Sequence, residues 1–173
     1  MPKKRGRKRD SRAGRATVVR GADAPPSVIF LDVDGVLHPV NARHTKPFDK
    51  RCLARLKQVV DGSGGAAIVA TSTWRLKPYE FKALKKALTG AGIRGPPVAA
   101  TPSAAGGRPE EIQIWLRAHP ATLAAGRYVI LDDLDLAPNA ARNALLKGHC
   151  VRTNGKTGLV DADVHACLAI LRQ

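Results

Sequence analysis

The sequence predicts an α/β fold built on a parallel sheet, and three observations carry that prediction. Short runs of branched and aromatic apolar residues alternate with longer stretches whose apolar residues recur at helical spacing. The clearest run is apolar at every position rather than at every second one, as in strands buried on both faces. Three of the runs stop at Asp or Thr, polar groups that a parallel sheet gathers along the carboxyl edge of its strands.

The first strand is Val28, Ile29, Phe30 and Leu31, entered through the stiff pair Pro25 and Pro26. It stops at Asp32. In extended backbone residues i and i+2 point the same way, so Asp32 and Asp34 can present both carboxylates to one volume before Gly35 turns the chain. A calcium loop is excluded, because Val36, Leu37 and Arg43 stand where ligands and a glycine are needed. Residues 36–49 form a loop too short for a separate domain. Residues 50–61 read as a helix, with Leu53, Leu56 and Val60 on one face, closed by glycines at 62–65.

A second strand at 66–70 runs into Thr71-Ser72-Thr73-Trp74-Arg75. The next helix, 78–88, turns Phe81, Leu84 and Leu88 inward. Residues 97–100 give a weak third strand, and 108–118 a helix with Ile112, Trp115 and Leu116 as its buried stripe. The fourth strand, 127–131, ends in Asp132-Asp133. Residues 134–147 are expected to hold a short helix with Pro138 in its first turn. A fifth strand at 149–152, a turn at Asn154-Gly155 and a closing helix at 161–171 complete the chain. The expected architecture is a Rossmann-like three-layer sandwich around about five parallel strands.

At 173 residues and 44% hydrophobic content the chain suits one domain with a core of Val, Ile, Leu and Ala. No apolar run reaches the length of a membrane span, and an intracellular protein, cytoplasmic or nuclear, is expected. Cys52, Cys150 and Cys167 lack zinc-site spacing and are read as reduced structural residues. The net charge of +15 is uneven: residues 1–20 hold nine Lys or Arg against Asp10 alone, leaving +7 to the remainder. Residues 1–26 are therefore expected to be a disordered basic tail, and 27–173 the folded domain. The run Lys3-Lys4-Arg5-Gly6-Arg7-Lys8-Arg9 reads as a nuclear-import address, an arm for nucleic-acid phosphates, or a solubilising tail.

The segment apolar-apolar-apolar-apolar-Asp32-x-Asp34-Gly35-x-Leu37 resembles the signature of the haloacid dehalogenase (HAD) superfamily of phosphatases. Thr71-Ser72-Thr73-Trp74-Arg75, Glu111-Ile112-x-x-Trp115-Leu116, and Val151-Arg152-Thr153 with Gly158-Leu159 resemble a small branch of it, some of whose relatives are fused to RNA-repair modules. The resemblance spans nearly all of residues 27–171 and implies a HAD-like sheet with the first strand central, flanked by the second and fourth. It also implies that Asp32 is the nucleophile and forms an aspartyl-phosphate, and that Asp34 is general acid and then general base. Thr71 would bond the phosphoryl oxygens. Four carboxylates gathered in one pocket need a cation, and Mg²⁺ is the ion implied, held by Asp32, the Asp34 carbonyl, Asp132 and Asp133. Arg108 stands where the superfamily usually has Lys, with Lys77 as the alternative cation.

Gly35 and Ser72 adjoin these groups and are expected to meet substrate. Lys156 is either a substrate contact or a plain turn residue; the P-loop that Gly155-Lys156-Thr157 suggests fails because Cys150 replaces its first glycine. His38 is read as a loop residue, and Trp74 and Trp115 as packing. Neither connection around the site has room for a lid domain, so a bulky phosphorylated substrate such as a nucleic-acid end is expected, with oligomeric state open. The competing reading is a nucleic-acid or chromatin binding protein with an inactive HAD-like core. A receiver domain is excluded, since its acidic pair follows the first strand and a single Asp the third.

Overall fold

The computed structural model describes residues 27–42, 48–93, 99–136 and 143–173. Its sheet has five parallel strands in the order β3-β2-β1-β4-β5: β1 Val28–Leu31, β2 Ala67–Ala70, β3 Ala99–Ala100, β4 Tyr128–Asp132 and β5 Cys150–Arg152. The described residues form five α-helices around them: α1 Lys50–Gly62, α2 Pro78–Gly90, α3 Arg108–Ala118, α4 Pro120–Ala125 and α5 Asp161–Leu171. Short 3-10 turns occupy Val40–Ala42 and Thr73–Leu76.

Alternation along β1 sorts the core into two layers. Ile29 and Leu31 pack with Leu56 of α1, Leu84 and Leu88 of α2, and Cys167 and Leu171 of α5. Val28 and Phe30 face the other way, onto Ile112, Trp115 and Leu116 of α3. Phe30 meets Trp115 edge to face at 5.2 Å between ring centres, a pairing worth about 0.5–1.5 kcal/mol beyond area burial. With every β1 side chain buried, the uninterrupted apolar run is accounted for.

Caps and turns set where the helices begin. Asp49 accepts the Arg51 N–H at 2.7 Å, capping α1. Pro78 opens α2 in the one turn of a helix where its missing N–H costs nothing. Across the layer, Arg55 of α1 pairs with Asp161 at the start of α5 at 2.8 Å.

Register fixes the site. Leu31 is level with Ala70 on one side and with Leu131 on the other, so Asp32, Thr71 and Asp132 leave three neighbouring strands in step. Two differences from the sequence reading concern helices. Pro120–Ala125 forms a one-and-a-half-turn helix that was not expected, being too short to show a period. Of the helix expected at 134–147, residues 137–142, Pro138 among them, lie outside the described residues, and 143–149 form turns closed by Leu146 N–H to the Asn143 carbonyl and His149 N–H to the Leu146 carbonyl. The tail at 1–26 also lies outside the described residues. Among the described residues no helix is long and apolar enough to cross a membrane.

Candidate active site

Asp32, Asp132 and Asp133 each offer a carboxylate oxygen within 4.8 Å of the others. Asp32 and Asp132 are almost fully buried, and such crowding of like charges in low dielectric requires positive charge nearby. Arg108, the first residue of α3, supplies it. Its Nη2 lies 3.1 Å from Asp32 Oδ1 and its Nη1 contacts Asp132 Oδ2. Lys77 does not take this place; it pairs with Glu80 at 3.1 Å on the surface.

The electrostatics follow from burial and pairing. Desolvation, with repulsion from Asp132, pushes the Asp32 carboxyl up to about 6 despite Arg108. Burial raises Asp132 too, again against the pull of Arg108. Arg108 is itself disfavoured by burial, yet Asp32 and Asp132 outweigh that and raise it. Asp132 is further anchored by the Leu134 N–H, which donates to its Oδ1 at 2.9 Å.

Asp133 lies between two glycines. A Cβ on Gly35 would stand 2.5 Å from its carboxylate, and one on Gly155 2.8 Å from its Oδ2. Gly35 also has φ +74°, which any larger residue resists. Its N–H donates to the His38 carbonyl at 2.9 Å and its carbonyl accepts from Thr153 Oγ1 at 2.8 Å. Both backbone groups of Gly35 are thus engaged inside the protein, and its missing side chain leaves room for the Asp133 carboxylate.

All the donors in this cluster are carboxylate oxygens, the set that hard divalent cations prefer. The residues present therefore fit Mg²⁺ or a similar ion.

Asp34 belongs to a different set of contacts. Trp74 Nε1 donates to Asp34 Oδ2 at 2.9 Å, and His38 Nε2 lies 3.2 Å from Oδ1. His38 is fully buried and Trp74 nearly so. Trp74 is thus more than packing and His38 more than a loop residue. Trp115 is packing, stacked on His119 at 3.6 Å.

The segment after β2 holds the remaining groups. Thr71 is fully buried, and its Oγ1 has no hydrogen-bond partner among the described residues. Ser72 hydrogen-bonds Asp32 and accepts the Trp74 N–H at 3.4 Å. Arg75 binds the carbonyls of Thr71 at 2.8 Å, Ser72 at 3.0 Å, Thr101 at 2.9 Å and Pro102 at 3.2 Å, and pairs with buried Glu111 at 2.7 Å. That guanidinium clamps the end of β2, the chain after β3 and helix α3 together. It holds Thr71 and, through α3, Arg108 in place. Sequence reasoning had the motif, with Trp74 read as packing and Arg75 given no role.

Beyond Asp133 a cavity of about 340 Å³ is lined by Asp133, Arg152, Thr153, Asn154 and Gly155. Lys156 is not in that lining; its N–H donates to Asn154 Oδ1 at 2.9 Å, and its side chain is exposed on the turn. The loop is tied down by Val40 N–H to the Gly155 carbonyl at 2.8 Å and Leu159 N–H to the Val36 carbonyl at 2.9 Å. The cysteines stand apart from the chemistry: burial raises all three thiols, Cys150 to about 11 and Cys167 to about 12.

No curated protein and no solved structure matches the chain. Residues 28–164 match the family described as HAD domain in Swiss Army Knife RNA repair proteins. That span holds all five strands and every residue of the site, and the chain belongs to this family of HAD domains.

Proposed function

We propose that the protein is a divalent-metal-dependent phosphohydrolase that cleaves phosphomonoesters through an aspartyl-phosphate on Asp32, with phosphorylated nucleic-acid ends as substrates. The observation that carries this reading is the register-locked meeting of Asp32, Asp132 and Asp133 with Arg108 bridging two of them. Asp32, Asp132 and Asp133 would hold Mg²⁺, together with the Asp34 carbonyl. Bound there, the ion would offset the charge of the phosphoryl group and polarise its oxygens.

The protein's own groups then divide the work. An Asp32 oxygen attacks phosphorus, the bond to the ester oxygen breaks, and Asp34 gives that oxygen its proton. In the second half Asp34 accepts a proton from water while the water oxygen attacks the same phosphorus. The bond to Asp32 then breaks, releasing phosphate and restoring the carboxylate. Arg108 keeps Asp32 ionised against the burial that raises its pKa, and Thr71 Oγ1 donates to a phosphoryl oxygen.

Three features support a nucleic-acid substrate. The family's description names RNA repair. The chain carries +15, which favours polyanions. Tyr79 is 90% exposed, and an exposed aromatic ring offers a face on which an unpaired base can stack.

The test is phosphate release from 3′- and 5′-phosphorylated oligonucleotides, phosphopeptides, metabolites and para-nitrophenyl phosphate, with and without Mg²⁺. Metal-dependent release that Asp32→Asn abolishes is expected. Salt-sensitive nucleic-acid binding without turnover, unchanged by Asp32→Asn, would instead establish the binding-protein reading.

A further inference from the structure

The Asp34 carboxylate is gripped from both sides by groups that carry no formal role in phosphate chemistry. Trp74 donates to one oxygen at 2.9 Å, and His38 Nε2 stands 3.2 Å from the other. Both rings are buried and pack on each other and on Phe48: His38 and Trp74 at 6.0 Å, Phe48 and Trp74 at 5.4 Å, His38 and Phe48 at 6.3 Å between centres. The donor itself is set by the turn that carries it. Ser72 Oγ accepts the Trp74 N–H, and Arg75 fastens the Thr71 and Ser72 carbonyls that lead into the turn to the Thr101 carbonyl of the neighbouring chain. Rotation of the indole would break these contacts, so the Nε1–H direction is fixed by the fold.

An indole N–H can only donate, and it neither takes up nor releases a proton in water's pH range. Tyr or Lys at the same place could exchange a proton with Asp34, as the imidazole of His38 on its other oxygen can. Trp holds the carboxylate's direction and leaves its proton to the reaction. We infer that Trp74 is a positioning residue for Asp34, presenting its carboxyl group to the ester oxygen that must leave. This inference rests on the reading of Asp34 as the general acid. It makes the segment after β2 serve both partners of the reaction, with Thr71 directed at the phosphoryl group and Trp74 at the acid.

A positioning role of this kind has a signature that loss of packing lacks. Proton donation matters for a poor leaving group, such as an alkyl or ribose oxygen, and hardly at all for an activated nitrophenolate. The quantity to measure is kcat/KM, which covers the steps up to departure of the leaving group. Trp74→Phe is expected to lower kcat/KM about 10- to 100-fold on an alkyl phosphate or a nucleoside monophosphate, and by no more than about threefold on dinitrophenyl phosphate. Because Trp74 is buried, a second variant guards against misfolding: benzothienylalanine at 74 keeps the fused ring and lacks the N–H. It should reproduce the selective loss with an unchanged melting temperature.

Equal loss on both esters in both variants, or no loss on either, overturns the inference while leaving the phosphohydrolase reading intact. Wild-type protein that releases phosphate from neither ester with Mg²⁺ overturns that reading, and this inference with it.

Discussion

Asp32 and Asp34 leave the same strand two residues apart and live in opposite surroundings. The Asp32 side chain is 6% exposed, shares its volume with Asp132 and Asp133, and is matched by a guanidinium. Asp34 is 25% exposed and is met by an indole N–H and an imidazole. Ionic compensation suits a group that must stay charged to attack, while an uncharged donor such as the indole N–H suits one that must gain and lose a proton. One strand end therefore supplies two carboxylates with two characters, and the difference comes from which loops pack beside each.

Substitutions at the two aspartates test this division most severely. Asp32→Asn should reduce turnover to the uncatalysed background for every ester, measured as phosphate release. Asp34→Asn should lower kcat/KM about 10²- to 10⁴-fold on unactivated esters and far less on an activated one, whose kcat still falls because Asp34 also takes the proton of the attacking water. Equal, total loss in both would erase the contrast. Next in size is Arg108→Ala, which strands buried carboxylates. In metal-free protein it should cost about 3–5 kcal/mol in urea unfolding at neutral pH, with the loss shrinking in acid and with Arg108→Lys recovering most of it.

The raised pKa of Asp32 sharpens the comparison through pH. Folded protein holds this proton up to about 6, above the ordinary value of 3.8, so between those limits it binds more protons than unfolded chain does. The contribution of Asp32 to metal-free stability is thus greatest below about pH 4 and falls as pH rises through about 6. Mg²⁺ competes with that proton, so the rise in melting temperature on adding Mg²⁺ should be larger at about pH 7.5 than at about pH 5. A larger shift in acid would contradict the placement of the ion beside Asp32.

The smallest expected effect is at the glycine behind Asp133. Gly155→Ala should weaken Mg²⁺ affinity about tenfold in calorimetric titration, while Gly35→Ala, with a closer approach and a positive φ, should weaken it further. Unchanged affinity in both would show that the Asp133 carboxylate is not held by their missing side chains.

Much of this was legible in residues 27–38 and at the polar ends of the later strands, because local pattern encodes burial and strand termini. Arg108 could be named from its place at a helix start, and the fold set it between Asp32 and Asp132. The roles of Trp74, His38 and Arg75 were not legible. A tryptophan in a sequence reads as apolar bulk, and only the packing of two loops brings its N–H to a carboxylate forty residues away. A hint lay in Trp74 and Arg75 standing just beyond Thr71-Ser72-Thr73 at a strand end, where packing residues are less needed than directed donors. Gly35 showed the reverse limit: its turn was evident, but the neighbour that forbids a side chain there, Asp133, lies far along the chain.

Residues 153–159 close over Gly35, Val36 and Val40 and come later in the chain than every aspartate of the site. A ribosome makes them last among the parts that shape the pocket. A nascent polypeptide already exposing Asp32 would therefore still lack the latch behind Asp133, and the pocket would be complete only when residues 153–159 have emerged and docked.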